Sequence, residues 1–130
     1  MDIKYGFGKV VDASFEDAID LVTRELQKEG FGVLSDIDVE ATFKKKLGKE
    51  ILPYRILGAC NPLLAHQAIS AEPAVGLLLP CNTLVRQMED GSVRVDFMDP
   101  EVALGIVDNP VITDMVGRVK TRLKRVLDTL

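Results

Sequence analysis

The stretch "YRILGACNPLLAHQAI", residues 54 to 69, decides how this chain reads. After Pro53, "YRILGA" has the apolar, β-prone character of a strand. Asn61-Pro62 then opens a helix, because asparagine is a strong N-cap and proline is preorganised for the first helical position. That helix is predicted to run to about Ala71. Strand passes to helix within two residues, and Cys60 stands at the junction. A partial echo follows in "VGLLLPCNTLVRQ", residues 75 to 87. Both cysteines of the chain, Cys60 and Cys81, are thus followed directly by asparagine. The second stretch is predicted as one long strand, Val75 to Gln87. Pro80 sits in its middle, where it cannot donate a ladder hydrogen bond and so implies a bulge or an edge.

Working outward, Ile3 to Val11 alternates Ile3, Tyr5 and Phe7 with Lys4, Gly6 and Gly8, the period of a strand. Ser14 then caps a helix with Asp17 three residues on. Its stripe is Phe15, Ala18, Ile19, Val22 and Leu26, and Gly30 ends it. Phe31 to Val39 is a strand with Phe31, Val33, Ile37 and Val39 expected on one face. Glu40 to Leu47 is a short lysine-rich helix stopped by Gly48. On the far side, "EDG" (Glu89 to Gly91) signals a hairpin turn back into a strand from Ser92 to Met98. Asp99-Pro100 caps a short helix ending near Val107. Asn109-Pro110 caps the last helix, whose apolar stripe is Ile112, Met115, Val116, Val119, Leu123, Val126, Leu127 and Leu130. Neighbouring late strands with separate helices predict an α+β fold, a mostly antiparallel sheet with helices packed on one face.

A chain of 130 residues with 47% hydrophobic and 28% charged residues suits one domain, residues 1 to 130, with one core. No apolar run is long enough to cross a bilayer. "MDIKYGFGKV" lacks the apolar core of a signal peptide, so a cytoplasmic protein with reduced thiols is expected. A net charge of −4 disfavours nucleic acid as a partner. Two cysteines and one histidine cannot fill a four-ligand zinc site within one chain without carboxylates, and no metal is expected. "GFG" occurs at residues 6 to 8 and 30 to 32, without the spacing of a phosphate loop, and no cofactor is expected. The last helix carries Arg118, Lys120, Arg122, Lys124 and Arg125. Without stacking aromatics these read as a solvated face rather than a patch for an anionic partner. Lys44, Lys45 and Lys46 read the same way.

The two Cys-Asn pairs are the candidate site. A thiol near a helix N-terminus feels the positive end of the dipole, which would favour thiolate at Cys60. Asn61 is most simply a cap. Asn82 offers donors and an acceptor, either to a ligand or to backbone groups freed by Pro80. Tyr54, at the head of the first strand, counts as a further ligand contact or else as a core or interface aromatic. If the strands are neighbours, Cys60, Asn61, Cys81 and Asn82 converge on one pocket for a small polar or thiol-reactive ligand. Three readings stand side by side. One is a ligand-binding or thiol-sensing module. Another is a thiol-dependent enzyme, with Cys60 as nucleophile and Asn61 or Asn82 as oxyanion donors. The third is a structural or interaction protein whose cysteines are core packing. His66, the only histidine, is the sole obvious base for an enzyme. It lies roughly 8–9 Å along the helix from Cys60, beyond hydrogen-bond reach.

The segments "YRILGACNPLLAHQAI", "EPAVGLLLPCN" and Asp99-Pro100 resemble the family known as domain of unknown function 302, from about Tyr5 to the end of the chain. The motif positions are Tyr54, Gly58, Cys60, Asn61, Pro62, Gly76, Pro80, Cys81, Asn82, Asp99 and Pro100. The resemblance implies an α+β domain of the TATA-binding-protein-like fold group, homodimeric, with no established activity. The fold-group name does not argue for DNA binding, since function resides in sites rather than folds.

Overall fold

The computed structural model describes residues 3 to 130. Five strands form one sheet: β1 (Gly6–Val11), β2 (Gly32–Asp38), β3 (Tyr54–Cys60), β4 (Cys81–Gln87) and β5 (Val93–Met98). Their order is β1-β5-β4-β3-β2, and every neighbouring pair is antiparallel. The helices are α1 (Phe15–Lys28), α2 (Val39–Leu47), α3 (Pro62–Ala71), α4 (Pro100–Ala103) and α5 (Pro110–Thr129). The α+β architecture with an antiparallel sheet is the one expected.

β1 and β2 are consecutive in sequence yet occupy opposite edges, so α1 must cross the whole sheet. Four strand spacings are roughly 19 Å. The 14 residues of α1 are long enough, at about 1.5 Å each, to bridge that width. Ser14 caps the helix by accepting from the Asp17 N–H at 3.2 Å. Its stripe of Ala18, Ile19, Val22 and Leu26 is buried. Gly30, at φ +85°, reverses the chain into β2.

The core lies between the sheet and α1, α3 and α5. Leu57, Ala59, Cys81, Thr83, Val85, Val93, Val95 and Phe97 point into it from β3, β4 and β5. Ile112, Met115, Val116, Val119, Leu123 and Val126 answer from α5, as the periodicity predicts. The cationic face of α5 is tied down locally. Arg125 pairs with Glu29, Lys120 with Asp99 and Glu101, and Arg118 with Asp114. Lys124 lies 4.8 Å from the centre of the Phe7 ring.

Four expectations are corrected. The long strand from Val75 begins only at Cys81, because Pro73–Leu78 is a 3-10 helix. An apolar run of that length fits a buried strand equally well, and periodicity alone does not separate them. Pro80 therefore precedes β4, after a cis Leu79–Pro80 peptide, instead of interrupting it. In β2, the register slips between Val33 and Ser35, with Leu34 as the additional residue. The bulge reverses the alternation. Phe31 is buried, but Ile37 stands opposite Ile56 on the other face and is half exposed. At the chain's start, β1 opens at Gly6 and not at Ile3. The helix after Asp99 stops at Ala103, short of Val107.

Candidate functional site

Two hollows lie near the sheet, and the sequence-selected residues divide between them. The first is a cavity of about 430 Å³ at the end of the sheet where β3 finishes and β4 begins. Cys60, Asn61 and Cys81 all line it. Leu34, Leu64, Ile69, Leu79, Met115 and Val119 make most of the remaining wall. Each element contributes for a local reason. The β2 bulge turns Leu34 out of the ladder, leaving it 70% exposed at the rim. Asn61 caps α3, accepting from the Leu64 N–H at 3.2 Å. That capping bond fixes where α3 starts, and so where Leu64 and Ile69 descend. The 3-10 helix carries Gly76 and Leu79 over the cavity and delivers the chain to Cys81.

Cys60 and Cys81 are free thiols. Ala59 pairs with Cys81 across the β3–β4 ladder, which puts Cys60 one residue from that pairing. The Cys60 sulfur acts on Cys81. Burial first, then the Cys60 charge, pushes the Cys81 thiol up to about 11. Burial alone raises Cys60. Burial thus works against the thiolate expected at Cys60, because desolvation disfavours the charged form. The wall is also far more apolar than a site for a polar ligand requires. His66 is exposed and does not line the cavity.

Asn82 and Tyr54 belong to the second hollow, about 450 Å³, on the opposite face of the sheet. Cys81 points into the core, so in a strand its neighbour Asn82 must point the other way. The Asn82 side chain is exposed and makes no hydrogen bond within the described residues, so it does not serve the backbone around Pro80. With it stand Tyr5, Leu84, Met98 and two residues that sequence reasoning missed, Arg94 and Asp96. Arg94 donates through Nε to both Asp96 carboxylate oxygens, at 3.1 and 2.9 Å. Gly8 faces Asp96 across β1–β5, and a Cβ there would overlap the carboxylate. The signal available in sequence was the Arg94-x-Asp96 spacing, which puts both on one face of a strand.

Gly58 pairs with Ser35 on one side and Asn82 on the other. A Cβ on it would meet Pro80 Cγ at 2.8 Å and Ser35 Oγ nearer still. Ser35 and Pro80 both line the thiol cavity.

The family model described as Domain of unknown function DUF302 matches residues 7–130. The chain belongs to this family. A solved DUF302 protein, an uncharacterised conserved protein from Bacillus stearothermophilus, superposes with a TM-score of 0.89 at 26% identity. The match covers 98% of each chain. No curated protein matches. In this DUF302 chain, the motif residues Cys60, Asn61, Gly76, Pro80 and Cys81 all line the apolar cavity. Tyr54 and Asn82 line the hollow across the sheet. Among the described residues no helix is long and apolar enough to cross a membrane. None of their His, Cys, Asp and Glu side chains cluster as a metal site.

Proposed function

We propose that the chain is a small-ligand-binding module whose ligand is apolar and sits in the cavity walled by Cys60 and Cys81. The observation that carries this reading is the convergence of both thiols and Asn61 on one hollow of about 430 Å³, lined mainly by aliphatic side chains. Ligand pockets of this kind are mostly apolar with a few placed polar groups. Leu34 and Ile69, 70% and 47% exposed, give the cavity an apolar lip through which such a molecule enters. The thiols act as neutral, polarisable wall groups at neutral pH. The binding reading is favoured over a thiol-dependent enzyme because both thiols are held protonated and no base lines the cavity. The module works as a homodimer in the cytoplasm, where thiols stay reduced.

An apolar fluorescent probe, anilinonaphthalene sulfonate, tests the site. Saturable binding to the folded protein is expected, weakened when Ile69→Glu places a charge on the lip, and accompanied by slower modification of Cys60 by a chromogenic disulfide. A probe that binds the Ile69→Glu variant equally well, or leaves the thiol rate unchanged, contradicts the assignment. Sizing is expected to give twice the 14.3 kDa chain mass. A monomer at micromolar concentration removes the dimer.

A further inference from the structure

Three of the side chains that line the thiol cavity carry sulfur: Cys60, Cys81 and Met115. They arrive from three elements, the end of β3, the start of β4 and α5. Cys60 lies one residue from the Ala59–Cys81 pair. Strand spacing and rise then put the two cysteine Cα atoms about 6 Å apart. Thiols on Cα atoms at that separation reach a common point. Met115 is 4% exposed, so its thioether faces the cavity and the core instead of solvent.

The rest of the wall narrows what those sulfurs can hold. No carboxylate, imidazole or amine lines the cavity, and its only other polar side chains are Ser35 and Asn61. The Asn61 side-chain oxygen already accepts from the Leu64 N–H. Hard cations such as calcium and magnesium need oxygen ligands, and zinc takes four donors in a structural site. Among the described residues no three His, Cys, Asp and Glu side chains gather as such sites require. The donor count that excludes zinc does not exclude a soft monovalent ion, which two sulfurs satisfy. Thiolate and thioether donors select Cu(I).

We infer that the cavity binds one Cu(I) ion between the Cys60 and Cys81 sulfurs, with the Met115 thioether as a third, weaker donor. Uptake breaks two S–H bonds and forms two Cu–S bonds. Two protons leave to solvent, and the copper stays in the same oxidation state. The resulting bis-thiolate carries one net negative charge. α3 begins directly after the Asn61 cap, so the positive end of its dipole lies beside that charge. Burial favours the protonated form of both thiols beforehand, so proton release accompanies binding. Copper engages the sulfurs and an apolar molecule engages the aliphatic wall. The inference therefore rests on the cavity and not on the apolar ligand.

Anaerobic titration with Cu(I), competed against the chromogenic chelator bicinchoninate, tests the site. One copper per chain is expected, with two protons released per ion and only sulfur in the first shell by X-ray absorption. Zn(II) offered in the same way should not bind. Cys60 is only partly buried, so Cys60→Ser should fold and should lose the copper to the chelator. Met115→Leu conserves volume; it should keep the stoichiometry and weaken binding less than loss of the thiol does. Failure of the folded chain to take up copper against the chelator overturns the site. So does equal uptake by Cys60→Ser, or a first shell of nitrogen and oxygen. Copper uptake without saturable binding of anilinonaphthalene sulfonate supports the copper site and sinks the apolar-ligand reading; the reverse result sinks the copper site alone.

Discussion

The thiol cavity and the arginine hollow are of similar size, about 430 and 450 Å³, and lie on either side of the same strands. Their chemistry is opposed. One is walled by aliphatic side chains and two protonated thiols, the other by guanidinium, carboxylate, amide and phenol groups. The difference arises from the pleat. Residues at alternate positions of β3 and β4 serve opposite faces, so Ala59 and Cys81 belong to the core while Tyr54, Asn82 and Arg86 belong to the open face. At the cavity's end of the sheet the alternation breaks down. Cys60 is the last residue of β3, and the turn into α3 lets Cys60 and Asn61 share one hollow. Two identical dipeptides thus have different fates. Cys60-Asn61 stays together because a helix begins, and Cys81-Asn82 is divided because a strand does.

The largest expected effect is at Gly58, beside the thiol cavity. Gly58→Val places a branched side chain where even a Cβ meets Pro80 and Ser35. Overpacking of this kind costs typically about 3 kcal/mol at its upper end. Urea unfolding should show that loss, with binding of the apolar probe weakened. A variant as stable as the parent would mean that nothing presses on Gly58 from the cavity side.

Alkaline pH should separate the two regions next. The folded-state pKa of Cys81 is raised from 9.0 to about 11, so the folded protein holds this proton more tightly than the unfolded chain. Its stabilising contribution is complete below pH 9 and disappears as pH rises to about 11. A loss on the order of 2 kcal/mol over that window is expected. It should be absent in Cys81→Ala and retained in Arg86→Gln. An unchanged alkaline profile in Cys81→Ala would show that the thiol is not desolvated.

A smaller effect distinguishes the cysteines from each other. Cys81 is 9% exposed within the core cluster, whereas Cys60 is only partly buried. Cys81→Ala should cost on the order of 1 kcal/mol in chemical denaturation, and Cys60→Ala clearly less. Equal costs would place both sulfurs in the same environment.

Much of the fold was legible because its signals are local. Asn61-Pro62, Asp99-Pro100 and Asn109-Pro110 each cap a helix where the sequence places one. The α5 stripe is read from its period. What escaped was non-local. Nothing in "FGVLSDID" marks Leu34 as the bulged residue, because a bulge is set by the partner strand's register. "VGLLL" has no alternation to distinguish a 3-10 turn from a buried strand. The separation of Asn82 from Cys81 was implicit in strand alternation once β4 was known to begin at Cys81. The arginine hollow needed the β4–β5 register, which alone sets Arg86 beside Arg94.

The most direct test of the apolar site uses methionines as built-in reporters. Met115 lines the thiol cavity and Met98 the arginine hollow. With ¹³C-labelled methionine methyl groups, the apolar probe is expected to shift Met115 while Met98 stays fixed. A probe that moves Met98 and leaves Met115 untouched, or moves neither, contradicts the assignment of an apolar ligand to the cavity walled by Cys60 and Cys81.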